Sequence, residues 1–133
     1  MATTTLTITP LDSADPAAVE GAYLVRAAAV ANDIPDFPTP SWTQFEAGLR
    51  VPWPGADDHH WIARDGDDVV GYLKIELPTL DNVETSFVEM TVRPEHRRRG
   101  IGRALFEHTV AFLRECGRKR LMGMTPTTLP GGP

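Results

Sequence analysis

Alternating apolar and polar residues mark the strands of this chain. In residues 84–93, Val88 and Val92 fall on one face and Glu89 and Thr91 on the other, which is typical of a strand with one buried face. A turn rich in aspartate and glycine at residues 65–68 joins two such segments, as in a β-hairpin. The pattern predicts strands over residues 6–10, 60–63, 69–77 and 84–93, and a last strand near residues 121–124.

Apolar residues three or four positions apart predict three helices. The first covers residues 17–31 and follows Asp15 and Pro16, which suit the N-cap and the first helical position. The second covers residues 41–50 and opens at Ser41. The third covers residues 98–116 and ends before a glycine that suits a left-handed C-cap. Its buried side is predicted to hold Leu105, Thr109, Phe112, Leu113 and Cys116.

The order of these elements predicts an α/β fold. Consecutive strands joined by short turns pair antiparallel, whereas a strand, a helix and a further strand favour a parallel pair. We therefore expect a mixed, mostly antiparallel sheet with flanking helices, in one domain over residues 1–133. Residues 126–133 are rich in proline and glycine and are predicted to be a loop or linker.

Length and composition narrow the class of protein. The chain has 133 residues, enough for one ordinary domain and too few for two. Its 41% hydrophobic and 23% charged residues exclude a disordered chain, and no apolar run approaches the roughly 18 residues that span a bilayer. The single cysteine excludes an internal disulfide framework. These features predict a cytoplasmic protein with no membrane partner.

The charge is distributed unevenly. Residues 93–103 contain five arginines and one glutamate, a charge of +4. The net charge of the chain is −5, so the remaining residues carry −9. Nucleic-acid binding usually spreads basic residues over a whole face or stripe. One basic segment in an acidic protein therefore favours a small polyanionic ligand, and no nucleic-acid partner is predicted.

The basic segment coincides with a strand, a tight turn and the start of a helix. Pro94 ends the strand, because it has no N–H for a ladder. Free N–H groups, a helix dipole and guanidinium groups then converge on an anion-binding site. The segment is not a Walker loop, since no lysine follows Gly102, and it is not a dinucleotide fingerprint, since Leu105 replaces its third glycine.

A third pattern, V-x-P-x-x-[RQ]-x-x-G-x-[GA], does match, with Val92, Pro94, Arg97, Gly100 and Gly102 in its defined positions. This resembles the coenzyme-A-binding motif of the GNAT superfamily of N-acetyltransferases. The resemblance implies a GNAT-like fold with acetyl-CoA as cosubstrate. It also implies transfer of the acetyl group to a primary amine of a small molecule or peptide.

The resemblance also implies roles for individual residues. The backbone around Met90 and Val92 would bind the pantetheine arm, and an N–H near Met90 would face the thioester oxygen. Backbone N–H groups of residues 98–103 would bind the pyrophosphate, and glycine there lets the backbone approach it closely. The residues predicted to bind the cofactor are Met90, Thr91, Val92, Arg97, Arg98, Arg99, Gly100, Ile101, Gly102 and Arg103.

The general base is predicted separately. Glu89 is the first candidate, acting directly or through water, and Glu76 on the neighbouring strand is the second. Either could instead be a solvent-facing residue of the sheet. No metal site is predicted, because the adjacent His59 and His60 have no further ligands and are expected at the surface. Cys116 has no basic partner and is expected to pack in its helix.

The end of the chain differs from the family pattern. A complete GNAT domain would continue with a further helix and two strands, so the resemblance predicts a C-terminally truncated domain. Such a fragment could be a catalytically incomplete module that only binds coenzyme A or another protein. An unpaired last strand could also pair with a second copy in a homodimer, or with the remainder of a longer chain.

Overall fold

The computed structural model describes residues 6–39, 41–51 and 54–123. They form one five-stranded sheet with three helices and a short 3₁₀ turn. The elements are β1 (Leu6–Pro10), α1 (Pro16–Asp33), α2 (Trp42–Arg50), β2 (Ala56–Asp65), β3 (Asp68–Pro78), β4 (Thr85–Val92), the turn Pro94–His96, α3 (Ile101–Glu115) and β5 (Arg120–Gly123).

The strands are arranged in sequence order, β1-β2-β3-β4-β5. The first three pairs are antiparallel, and β4 and β5 are parallel with α3 as their crossover. This confirms the predicted mixed, mostly antiparallel sheet with flanking helices. The loop or linker predicted for residues 126–133 lies outside the described residues.

Local chemistry accounts for the ends of the first two helices. Asp15 caps α1 by accepting a hydrogen bond from the Ala18 N–H, and Pro16 occupies the first turn. Ser41 caps α2 in the same way, through the Gln44 N–H. Both N-caps were predicted from the sequence and are confirmed.

The boundaries of β2 and α3 differ from the prediction. β2 has ten residues rather than four, because its polar first half pairs with β3 from Ala56 onward. α3 begins at Ile101 rather than at residue 98, because Arg98 and Gly100 have φ angles of 65° and 82°, which a right-handed helix does not permit.

Each face of the sheet is covered by different helices. On one face α3 buries Ile101, Leu105 and Leu113 against the middle of β3. Gly71 permits this close packing, since a Cβ there would lie 3.2 Å from both Ala63 and Leu105. Cys116 is exposed at the end of α3, so the prediction that it packs in the helix was wrong.

The opposite face is covered by α1 and α2 at one end only. Val19, Ala22, Val25 and Phe45 pack there against Ile62 and Tyr72. Further along this face the cross-strand partners Lys74 and Glu89 are polar, and neither belongs to the apolar cluster under α1 and α2. None of the helices in the described ranges is long and apolar enough to span a membrane.

Candidate functional site

The start of α3 presents unsatisfied backbone donors. Its N-cap is Gly100, which has no side chain to accept from the first N–H groups, and no other side chain in the described part of the chain replaces it. The Gly100 carbonyl accepts from Ala104, as the first bond of the helix. The N–H groups of Ile101, Gly102 and Arg103 therefore point outward at the positive end of the helix dipole, which is a site for an anion.

Gly102 has no structural reason to be glycine. It lies in the first turn of α3, and a Cβ there would meet only the Val92 side chain, at 4.0 Å. Glycine within a helix costs about 1 kcal/mol relative to alanine. The packing of the protein itself therefore does not explain the glycine. A ligand that approaches the backbone closely at this position would explain it.

Arg97 holds the turn in place. Its Nη1 and Nη2 lie 2.6 and 2.8 Å from the two carboxylate oxygens of Asp33, the last residue of α1. Its Nε donates to the Val92 carbonyl at 3.1 Å. The Arg97 hydrogen bonds hold the pKa of Asp33 below its usual value, and Asp33 raises the pKa of Arg97 in turn. The pair is therefore ionised at neutral pH, and all three guanidinium nitrogens are engaged.

The other arginines of the turn are more available to a ligand. Arg98 and Arg99 are exposed and form no ion pair within the described ranges. Arg103 forms only a long, exposed pair with Glu107, at 3.5 Å, and such pairs are worth little. Arg98, Arg99 and Arg103 are thus exposed and close in sequence to the free N–H groups, whereas all three guanidinium nitrogens of Arg97 bind the protein.

The edge of β4 opens just before this turn. β5 pairs with β4 only as far as Val88, and no other described strand continues the ladder on that side. The Arg93 N–H donates to Val70 on β3, so by the alternation of an antiparallel ladder Thr91 also bonds to β3, while Met90 and Val92 face the open edge. Since Arg97 occupies the Val92 carbonyl, three groups at this edge have no partner among the described residues: the N–H and C=O of Met90 and the N–H of Val92.

A cavity of about 290 Å³ lies beside this open edge, on the polar face of the sheet. Glu89 lines it, with Oε1 bound to Arg26 Nη2 at 2.8 Å and Oε2 buried without a hydrogen-bond partner in the described structure. Both candidate bases reach the cavity, together with a lysine and the apolar side chains of β4 and β5. The lining residues are Lys74, Glu76, Phe87, Val88, Glu89, Met122 and Gly123.

Sequence reasoning missed several of these residues. Lys74 alternates with Leu73 and Ile75, so the sequence places it on the polar face of the strand. Its position opposite Glu89 depends on the strand register, which the sequence does not show. No local signal marked Asp33, since 64 residues separate it from Arg97.

His60 lies in β2 and is half-buried with its ring stacked on Tyr72, so the prediction of a surface residue was wrong. Its Nδ1 is 2.8 Å from the Tyr72 hydroxyl, and its Nε2 is buried without a described partner. Burial, and to a lesser extent Lys74, lowers the pKa of His60 to about 4. Burial also raises the pKa of Tyr72. Both groups are therefore neutral at pH 7.

This pair predicts an acid-sensitive fold. An unfolded histidine has a pKa near 6.5, whereas His60 in the folded chain has a pKa of about 4. Between these two pH values the unfolded chain binds a proton that the folded chain does not, so the free energy of unfolding falls as the pH falls. Above pH 6.5 the contribution of His60 is complete. We expect the free energy of unfolding to drop by about 2 kcal/mol from this residue between pH 7 and 4.5, measured by urea denaturation. His60→Gln should flatten this slope, and a His60→Gln variant with an unchanged slope would contradict the assignment; His59→Gln is the matched control.

Comparison with known proteins identifies the family. The profile of the acetyltransferase (GNAT) family matches residues 27–128. A mycothiol acetyltransferase of Mycobacteroides abscessus is 39% identical over 59 residues, which are 43% of this chain and 20% of that protein. A tandem GNAT protein from the clavulanic acid biosynthesis pathway is 32% identical, with a TM-score of 0.86 over 96% of this chain and 39% of that protein.

A more distant structure contains acetyl-CoA. A protein of Salmonella typhimurium, solved with its cofactor acetyl-CoA, is 22% identical with a TM-score of 0.65, over 90% of this chain and 69% of that protein. At this identity the likeness shows the fold alone. The chain spans well under half of the mycothiol acetyltransferase and of the tandem protein, but the family profile covers more than half of the chain. The chain belongs to the acetyltransferase (GNAT) family.

Proposed function

We propose that this chain is an N-acetyltransferase that moves an acetyl group from acetyl-CoA to a primary amine of a small molecule or peptide. The uncapped start of α3 and the open edge of β4 next to it carry the proposal. The helix start is a site for an anion, and the strand edge has free backbone groups that can bind an amide-containing chain. Coenzyme A has both matching parts, a pyrophosphate and an amide-containing arm. No metal enters the proposal.

The cofactor residues divide by the part of the ligand that they would contact. Backbone N–H groups of Ile101, Gly102 and Arg103 would bind the pyrophosphate, with Gly100 shaping the turn. The side chains of Arg98 and Arg99 would neutralise its charge. Arg97 would act through the turn that it holds, rather than by direct contact.

The strand edge would hold the rest of the ligand. The free groups of Met90 and Val92 would pair with the amides of the pantetheine arm, much as a further strand does. Thr91 could contribute only its side chain, because its backbone belongs to the β3 ladder. An N–H at this edge would stabilise the negative charge that develops on the thioester oxygen.

Glu89 is the proposed base. Acetyl transfer forms a C–N bond and breaks the thioester C–S bond, so an ammonium acceptor must lose two protons. The first would pass to the free Oε2 of Glu89 and on to solvent, which makes the nitrogen nucleophilic. The second would leave with the thiol. Glu76 lines the same cavity, further from the open edge.

Two measurements test this function. Acetyl-CoA at 100 times its Kd should stabilise the folded chain by about 2.7 kcal/mol, which is roughly 8 °C in Tm. A screen of amines with acetyl-CoA should then release free thiol only when an acceptor is present. Stabilisation without amine-dependent thiol would favour the coenzyme-A-binding module, and folded protein with no stabilisation would exclude both functions.

A further inference from the structure

The cavity beside β4 is lined by two opposite charges that are not fully paired. Lys74 and Glu89 are directly opposite each other in the β3–β4 register, and both line the cavity. In the described part of the chain Lys74 forms no ion pair or hydrogen bond, and Glu89 uses only Oε1, on Arg26. Glu89 Oε2 is buried and unpartnered. The cavity is thus lined by one free ammonium and by a carboxylate that has one unpartnered oxygen.

Unpaired polar groups in a half-buried site are costly, so a ligand that pairs with both charges gains the most. Side chains that are directly opposite on one face of an antiparallel pair have Cβ atoms about 5 Å apart. The two complementary charges of the ligand must therefore be close together. A polyamine would satisfy Glu89 but would bring a second positive charge near Lys74.

We propose that the acceptor is a free α-amino acid, with its ammonium on Glu89 and its carboxylate on Lys74. This inference rests on the proposed acetyl transfer and names the acceptor class for it. The amine would then lie against the proposed base, next to the open strand edge that would hold the thioester. Lys74 is a specificity-determining residue in this arrangement.

The remaining lining selects the amino-acid side chain. Phe87 and Met122 are register partners across β4 and β5, and both are exposed apolar residues of the cavity. Glu76 is directly opposite Phe87 in the β3–β4 ladder and has no ion-pair partner within the described ranges. An apolar side chain fits these neighbours, whereas an acidic side chain would be repelled by Glu76.

A matched set of probes tests the class by direct binding, with the chain saturated with coenzyme A. L-leucine has both charged groups, 3-methylbutylamine lacks the carboxylate, and 4-methylpentanoate lacks the amine. Ligand-observed NMR should show L-leucine binding at least about 10-fold more tightly than either fragment, as loss of one charge-assisted hydrogen bond implies. L-glutamate should bind more weakly than L-leucine.

Variants of Lys74 test the residue itself. Lys74→Met should weaken L-leucine binding about 10-fold or more and leave 3-methylbutylamine unchanged, while Lys74→Arg should retain the preference. The matched control is Lys119→Met, which removes a lysine that is 73% exposed and does not line the cavity. If Lys74→Met does not fold, the Lys74→Arg variant and the three probes still decide the question.

The outcomes separate the ligand class from acetyl transfer. L-leucine that binds through Lys74 without releasing thiol from acetyl-CoA would contradict the proposed function and support the ligand class. Thiol release with 3-methylbutylamine equal to that with L-leucine, in the wild type and in Lys74→Met, would overturn the ligand class alone. Absence of L-leucine binding at tens of millimolar would also overturn it.

Discussion

Replacement of Gly102 by leucine is expected to weaken acetyl-CoA binding about 100-fold without destabilising the chain. The first turn of α3 has space for the new side chain in the free protein, where a Cβ would meet only Val92 at 4.0 Å. A bound pyrophosphate would occupy that space. Loss of two charge-assisted hydrogen bonds to backbone N–H groups costs about 3 kcal/mol, which corresponds to about 100-fold in Kd.

The stability of the variant makes this prediction specific. Leucine is a better helix former than glycine by up to about 1 kcal/mol, so Tm without ligand should stay the same or rise slightly. Calorimetric titration with acetyl-CoA and thermal melting with and without ligand measure the two effects. Binding loss with an unchanged Tm cannot come from misfolding.

Gly48 provides the matched control. It lies within α2, and a Cβ there would meet nothing within 4 Å. Gly48→Leu should therefore alter Tm in the same direction and leave acetyl-CoA affinity unchanged. If Gly102→Leu binds acetyl-CoA as tightly as Gly48→Leu does, the start of α3 is not the pyrophosphate site.

The sequence was most informative where the structure depends on local chemistry. The strand ended by Pro94, the turn with its glycines and the helix that follows are all encoded by adjacent residues, and the structure places them in that order. Capping by Asp15 and Ser41 is equally local. These features together predicted the fold and the family.

Features that depend on long-range pairing were not predictable. Arg97 matches the motif and reads as a phosphate ligand, but its guanidinium binds Asp33 at the far end of α1. His60 follows a polar run that indicates a loop, yet pairing with β3 extends the strand and places the His60 ring against Tyr72. In both cases the partner is set by tertiary structure, which overrides the local pattern.

Replacement of Glu89 by glutamine is expected to lower kcat for acetyl transfer about 100-fold at pH 7 and to leave acetyl-CoA affinity unchanged. Positioned general bases contribute about 10²- to 10⁴-fold. Glutamine has nearly the same shape, and its carbonyl oxygen can still accept from Arg26, which is 2.8 Å from Oε1. The change thus removes the basic oxygen and keeps the neighbouring hydrogen bond.

The matched control is Glu46→Gln, because Glu46 also pairs with an arginine on the protein surface. Its pair with Arg50 lies on α2, whereas Glu89 lines the cavity. This variant should retain full activity with the amine that gives the fastest thiol release. Equal losses in the two variants would indicate a general effect of removing a surface charge.

The pH dependence distinguishes a base from a residue that only positions the acceptor. If Glu89 takes the proton of the ammonium, the deficit of Glu89→Gln should shrink as the pH rises, because the free amine becomes abundant without help. A pure positioning role predicts a constant deficit between pH 7 and about 10, near the pKa of a lysine amine. Since Glu89 lines the cavity next to the open edge of β4 and its Oε2 has no partner in the described structure, we expect the deficit to shrink. A constant 100-fold loss would leave Glu89 as a binding residue for the ammonium, and the proton would then have to leave through solvent.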